Sequence, residues 1–426
     1  MSQISQDYFI SVRACPDCGQ HNRLLSGEAD TVIHCAHCGK VLRRIHDHSR
    51  DKVLCFSAAG VFFFMVLLNG PLLDISLFGR TRFSTLMSGP TAFSQEQYWL
   101  LGAVVFFTAI AMPLLKLSLM LIVTLGLRLS SPPRYLPHCF RWYKEVDKWA
   151  MPEIYLLGLL VAYTRLQKLA FIQIDSAVYA LAGTIAAIIS LEAVLDEEAI
   201  WAEMEKKGLI ETQPQNNVKP VLSCTVCNMP TYNAQGTPCP RCAAILHHRK
   251  PQSLAKTLAL IIAAITLYIP ANALPVMTIT QFGKATDYTI TAGMMEFVQA
   301  GIWPLAILIF VASIAIPLLK LLALGMMMVQ THLCSGRYLL FRTHLYRFTA
   351  FIGRWSMVDI FMLSLLVALM RYGQMSEIRP GTGSVCFAAV VILTMLAIDS
   401  FDPRLMWDAA ESKVPQAAAL QEAASA

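Results

Sequence analysis

Charge is scarce in this chain. Only 15% of its 426 residues are Asp, Glu, Lys or Arg, against 56% hydrophobic residues and a mean hydropathy of +0.52, and that balance excludes a soluble globular fold of this length. No GxxxxGK[ST] loop is present, so ATP-driven transport by this chain alone is not expected. The net charge of +6 comes without a basic patch interleaved with aromatics, which removes nucleic acid as a partner. Residues 1 to 52 hold no apolar h-region, so no cleavable signal peptide is expected there.

What is present is long apolar sequence. Crossing a hydrocarbon core of about 30 Å takes roughly 17 to 25 helical residues, and eight segments qualify, near 53–73, 98–127, 152–172, 177–195, 255–275, 302–329, 355–372 and 384–401. With the N-terminus inside, the intervening inner segments carry 25 Lys and Arg and the outer loops 7. This bias places both termini in the cytoplasm.

The chain also repeats itself. Ile110 to Leu121 reads IAMPLLKLSLML and Ile314 to Gly325 reads IAIPLLKLLALG, an offset of 204. Cys38 with Cys242, Phe78-Gly79 with Phe282-Gly283, Trp149-x-Met151-x-Glu153 with Trp355-x-Met357-x-Asp359, and Trp201 with Trp407 keep nearly the same offset. The expected fold is an all-α polytopic membrane protein built as a tandem duplication. Each copy is a cytoplasmic zinc ribbon followed by four transmembrane helices, eight in total, with a small periplasmic β-hairpin.

Eight of the twelve cysteines carry the ribbon reading: Cys15-x2-Cys18-x16-Cys35-x2-Cys38 and Cys224-x2-Cys227-x11-Cys239-x2-Cys242. Two CxxC knuckles at such separations bring four thiolates to the corners of a tetrahedron, as a closed structural zinc site requires, so two zinc ions per chain are expected. His34 and His37 flank the last two ligands of the first set; four cysteines suffice, and the histidines read as solvent-facing. The competing reading is a dithiol redox centre or stress sensor. It needs a single pair near a βαβ pattern, and a reducing cytoplasm disfavours it. The lone cysteines Cys55, Cys139, Cys334 and Cys386 read as small core hydrophobes.

Lysines inside spans are costly and point to partners within the bundle. Lys116 and Lys320 each follow a proline by three residues, Pro113 and Pro317, which frees a carbonyl one turn earlier and bends the helix. About ten residues, roughly 15 Å, separate each lysine from the inner helix end, beyond its snorkelling reach. The expected partners are Glu153 and Asp359, one on the following helix of each copy. The second copy adds hydroxyls: Ser313 seven residues before Lys320, Ser356 three before Asp359, and Thr394 in the last span. The first copy has Ala109, Ala150 and Ile188 there. Such a network serves as a proton relay, an anionic-headgroup site or a structural staple.

Loops after Asn69-Gly-Pro71 and Asn272-Ala-Leu-Pro275 alternate around Phe-Gly and predict hairpins over Ile75 to Phe83 and Met277 to Tyr288. The resulting division is a ribbon over 1–48, a membrane module over 49–200, a linker and second ribbon over 201–250, a second module over 251–412 and a disordered tail over 413–426. Glu203 to Val218 forms the polar linker.

The second half carries YIPANALPVM, IAIPLLK, GRWSMVDIF and FDPRLMWD, and with the paired CxxC knuckles these make nearly the whole chain resemble the paraquat-inducible protein A family. The resemblance implies a multi-pass, non-enzymatic protein of a Gram-negative inner membrane. It implies a periplasmic partner of MCE domains forming a tunnel, and phospholipid passed between membranes. It maps the family's polar network onto Ser313, Lys320, Ser356, Asp359 and Thr394, beside a periplasm-facing lipid site. The first copy departs from it, with Ala150 and Glu153 in place of serine and aspartate, so Lys116 and Glu153 are weaker counterparts. The leading expectation is a lipid-handling subunit coupled to proton movement through Lys320 and Asp359. The alternatives are the thiol redox protein and a passive scaffold that anchors its partner.

Overall fold

A computed structural model describes residues 9–25, 31–46, 48–77, 80–167, 171–210, 222–231, 235–281, 283–334, 336–370 and 376–411. The second half of the expected linker, residues 211–218, the alanine-rich tail from 412 on, and Phe78, Gly79 and Phe282 of the hairpin tips lie outside the described residues, while residues 203–206 of the expected linker are helical.

The first ribbon pairs β1 (Phe9–Ala14) with β2 (His21–Leu25) and β3 (Val32–His34) with β4 (Val41–Arg44). The first module follows as α1 (Ser49–Asn69), β5 (Leu73–Leu77), β6 (Arg80–Ser84), α2 (Ser88–Gln95), α3 (Trp99–Gly126), α4 (Leu136–Asp147), α5 (Pro152–Leu166), β7 (Phe171–Ile174), α6 (Ser176–Val194) and α7 (Glu197–Lys206). The second ribbon contributes β8 (Leu222–Ser223) and β9 (Pro230–Thr231). The second module repeats the first: α8 (Ser253–Ala273), β10 (Met277–Gln281), β11 (Lys284–Tyr288), α9 (Ile290–Gln299), α10 (Trp303–His332), α11 (Leu339–Gly353), α12 (Val358–Leu369), β12 (Ser376–Pro380), α13 (Thr382–Ser400) and α14 (Arg404–Glu411).

Among the described residues, seven helical stretches are long and apolar enough to cross a membrane: α1, α3, α6, α8, α10, α13 and the run Leu339–Leu369. The protein is therefore a multi-pass membrane protein. The third expected crossing differs between copies. Helix α5 has 15 residues, about 22 Å of rise, short of a core about 30 Å thick. In the second copy α11 runs through a 3₁₀ turn at Arg354–Met357 into α12, so that segment begins at Leu339, well before the expected 355.

Pro113 and Pro317 cannot donate to the carbonyls of Ala109 and Ser313, four residues back. Each helix responds with one π-helical turn, Phe107–Ala111 and Val311–Ala315, just before its proline. The wider turn changes which residues share a face. Ser313 and Lys320, seven apart, were expected to face together and instead bond to different helices.

The expected hairpins form, and each gains a strand that the sequence reading missed. Strand β5 lies between β6 and β7, with Ile75 opposite Arg82 and Ile172. Strand β10 lies between β11 and β12, with Ile279 opposite Thr286 and Ile378. The third strand comes from the connection between the third and fourth helical segments of each copy, which pins that connection to the loop after the first helix.

Within each copy the first helix packs along the last, α1 on α6 and α8 on α13. A serine at the start of each first helix ties the pair. Ser49 Oγ donates to Val194 O (2.7 Å) and accepts from Asp196 N (3.1 Å). Ser253 Oγ donates to Ser400 O (2.8 Å) and accepts from Asp402 N (2.9 Å). The modules meet where α5 and α2 pack on α12. A Cβ on Gly158 would lie 2.9 Å from Phe361 Cβ and 3.2 Å from Val358 O, so only glycine permits this approach. Tyr155 packs edge-on against Phe361 beside it, centroids 5.5 Å apart.

Candidate functional site

The eight ribbon cysteines form two buried cages of free thiols. Sulfur separations are 3.4 Å for Cys15–Cys38 and 3.7 Å for Cys18–Cys35, then 3.6 Å for Cys224–Cys242 and 3.7 Å for Cys227–Cys239. A tetrahedral ion with metal–sulfur bonds of about 2.3 Å sets its sulfurs about 3.8 Å apart. The cages fit a metal ion of that kind. Each knuckle turns through a left-handed residue just after its second cysteine: Gly19 (φ 78°), Gly39 (68°), Asn228 (55°) and Ala243 (55°). The close pairs join the two knuckles of a ribbon, and none of the eight thiols is more than 8% exposed. An accessible dithiol nucleophile would look different.

Each ribbon sits against the module that precedes it cyclically. In the first, Arg347 of α11 donates to Asp17 (2.6 Å), to Cys38 O (3.1 Å) and to Cys38 Sγ (3.1 Å), and His37 packs on Trp407. In the second, Arg241 lies 5.7 Å over Trp201 and pairs with Glu198 at 3.0 Å. His37 is thus no ligand, and although exposed it makes a docking contact. Of the lone cysteines, Cys139 and Cys386 are half-buried and pack against the hydrophobic core as expected, whereas Cys55 is exposed and Cys334 half-buried, which corrects their expected core role.

Beneath the ribbons two aspartates cap short helices. Asp196 accepts from the backbone of Glu198 and Ala199 at the start of α7 and forms a forked pair with Arg43. Asp402 accepts from Arg404 N and its guanidinium. Burial alone would raise the Asp402 carboxyl, but Arg404 and the Lys250 N–H outweigh it and hold it below its ordinary 3.8. Glu197 is likewise buried yet lowered from 4.5, by Lys144 and Arg13.

The two membrane lysines have different surroundings. Lys116 is 2% exposed and ion-paired to both Asp147 and Glu192. The expected partner, Glu153, pairs instead with Arg354 at 3.6 Å: it begins α5, whereas Asp147 ends α4 and Glu192 lies on α6, closer to the lysine. Lys320 is fully buried and donates to Thr394 Oγ1 at 3.2 Å, with no ion pair among the described residues. The offset of 206 carried by the tryptophans sets Gly353 and Ile398 where the first copy has Asp147 and Glu192. Both line Lys320, since a Cβ on Gly353 would meet Lys320 Cε at 3.4 Å and Ile398 Cδ1 at 3.5 Å. Among the described residues, the second copy holds no counter-ion for its lysine. Asp147 and Glu192 escaped the sequence reading, although the same offset would have flagged them.

Asp359 did not pair with Lys320 as expected. It accepts a hydrogen bond from Ser313, in the π-helical turn of α10. Ser356, in the 3₁₀ turn between α11 and α12, is buried with no hydrogen bond to its Oγ among the described residues. The network therefore separates into a Ser313–Asp359 pair and a Lys320–Thr394 pair.

Ser313 and Asp359 line a mostly apolar pocket that reaches to Met277 and Tyr288 of the strands and is walled by Met294, Phe297 and Phe387. One wall belongs to the first module: Arg165, near the end of α5, lies 4.9 Å over the Phe297 ring. By sequence alone Arg165 is one of the seven Lys and Arg of the outer loops.

The model of the family described as Paraquat-inducible protein A matches twice, over residues 51–205 and 254–411. The chain belongs to the paraquat-inducible protein A family. Each match covers one membrane module and leaves out the cysteine cages. The Escherichia coli K12 protein named "Intermembrane transport protein PqiA" is 31% identical over 401 residues, 92% of this chain and 95% of that one. The "Lipophilic envelope-spanning tunnel protein A" of the same organism is 29% identical over 93% of this chain and 91% of its own. A "Probable intermembrane transport protein" of Haemophilus influenzae is 27% identical over 80% and 82%. No solved structure matches the chain.

Proposed function

We propose that this chain is the membrane subunit of an intermembrane lipid transport system, sitting in a bacterial inner membrane and passing phospholipid to or from a periplasmic tunnel of MCE domains. The observation that carries the reading is the apolar pocket between the modules. It is floored by Ser313 and Asp359, and the counter-ion-free Lys320 lies on the same helix as Ser313, about two turns on. A buried ammonium held by one hydroxyl is costly, so Lys320 is poised to give up or take a proton, or to attract an anion, as the pocket changes occupancy. The names of the relatives, with their references to intermembrane transport and an envelope-spanning tunnel, support this reading.

The finer assignments follow from it. Eight crossings follow if α5, although shorter than the hydrocarbon core, takes the place that the run Leu339–Leu369 holds in the second copy, with both termini and both ribbons cytoplasmic and the three-stranded sheets periplasmic. The cages hold zinc as structural ions, held by Cys15, Cys18, Cys35 and Cys38 and by Cys224, Cys227, Cys239 and Cys242, and supply no redox step. The division into ribbon, module, ribbon and module makes the second module the working one and the first, with Lys116 neutralised, its support. The test is the phospholipid content of purified protein by mass spectrometry together with envelope lipid transport in Lys320→Ala and Asp359→Ala. Bound phospholipid and lost transport are expected; a lipid-free protein with transport intact in both variants would overturn the proposal.

A further inference from the structure

Among the described residues Arg165 is the one cation lining the pocket, and its surroundings are unusual for an arginine. It lies over the Phe297 ring at 4.9 Å, and its Nη1 meets the Met277 sulfur at 3.9 Å. Asp359 and Tyr288 line the same pocket, and among the described residues Arg165 forms no ion pair. A guanidinium is a planar fork of five donors suited to bidentate oxyanions, and the pocket it lines is mostly apolar. Asp359 accepts from Ser313 in that lining. The pocket therefore offers one guanidinium and one carboxylate among apolar walls.

We propose that this site, which rests on the lipid-transport reading above, recognises a zwitterionic phospholipid headgroup. Arg165 takes the phosphodiester, the Asp359 carboxylate in the same lining favours a headgroup that brings its own ammonium, and the acyl chains lie along Met294, Phe297 and Phe387. The recognition residue thus comes from the first module and the apolar walls from the second. Neither module has a complete site alone, which gives the duplicated copy a role even though its own lysine is neutralised. A singly anionic headgroup would leave the Asp359 carboxylate unanswered and bind more weakly.

The test is native mass spectrometry of the full chain, delipidated in detergent and titrated with phosphatidylethanolamine or phosphatidylglycerol. Phosphatidylethanolamine is expected to bind in preference, and Arg165→Gln to weaken it by about tenfold or more, the scale of a charge-assisted hydrogen bond lost from a dry site. Arg165→Lys, which keeps the charge and loses the fork, is expected to fall between. Elution volume and metal content check that the variants fold. Equal binding of the two lipids by the wild type, or unchanged binding in Arg165→Gln, would overturn this assignment while leaving the transport reading intact; failure of the wild type to bind either lipid would overturn the transport reading itself. Soluble glycerophosphoethanolamine is the arm for a headgroup without chains. It is expected to compete poorly, and full displacement at equal concentration would overturn the lipid as occupant.

Discussion

The imidazole of His37 packs against the indole of Trp407 with ring centroids 4.5 Å apart, so the first ribbon is fastened to the last helix of the described chain. Arg241 over Trp201 is the same contact in the other copy. The ribbons thereby close a ring, each clamped to the module of the other repeat, with Arg347 adding a direct bond to the Cys38 thiol.

Replacing Trp407 by alanine should loosen the first ribbon on the second module while Arg43 still holds it to Asp196, and should leave its metal in place. Limited proteolysis followed by mass spectrometry should then show faster cutting in residues 9–46 and unchanged cutting around 222–246. Trp201→Ala should cost more, about 3–5 kcal/mol as for large buried aromatics, because Trp201 is 1% exposed and packs on Phe140.

Elemental analysis should find two metal ions per chain. Cys18→Ser and Cys227→Ser should each remove one and leave the other, because the cages occupy separate ribbons. Loss of both ions from either single variant would contradict two independent sites.

The contrast between the lysines predicts a transplant. Gly353→Asp with Ile398→Glu restores to Lys320 the two carboxylates that surround Lys116. The doubly substituted protein should fold and keep its metal but lose lipid transport, measured in cells, because an ion-paired lysine no longer responds to the pocket. Intact transport would show that the bare lysine is incidental.

Acid should weaken the ion pairs beneath the ribbons. Glu197 and Asp402 both titrate below their ordinary values of 4.5 and 3.8, so the folded state binds fewer protons than the unfolded one. Their stabilisation is complete at neutral pH and is lost as pH falls below those values. Thermal unfolding in detergent should show the wild-type advantage over Asp402→Asn shrinking from pH 7 to pH 3.

Gly158 marks the module interface. Gly158→Leu should force α5 from α12, costing about 1–3 kcal/mol as in overpacked cores, and should reduce lipid binding at the shared pocket. A thermal melt with lipid titration measures both.

The sequence was most legible where chemistry dictates spacing. The CxxC pairs led directly to four-thiol cages, and the repeated Pro-x-x-Lys placed both lysines in long apolar helices. Alternation around Phe-Gly located both hairpins. The third strands were hidden because β7 and β12 are short and sit between helices, with partners about a hundred residues away. The lysine partners were misread for a geometric reason. Each lysine was matched to the acid on the following helix by chain order, which does not see that Ser313, in the π-helical turn, takes Asp359 and that Thr394 of α13 reaches Lys320. Arg165 looked like a loop charge because only the packing of α5 on α12 brings it over Phe297.

The central claim is that lipid occupies the pocket between the modules. A photoreactive amino acid placed at Phe387, on the pocket wall, tests it most directly, with Met120, buried in the first module, as control. Irradiation in the native membrane followed by mass spectrometry should yield a phospholipid adduct at 387 and none at 120. An absent adduct at 387, in a protein that still transports lipid, would contradict the account.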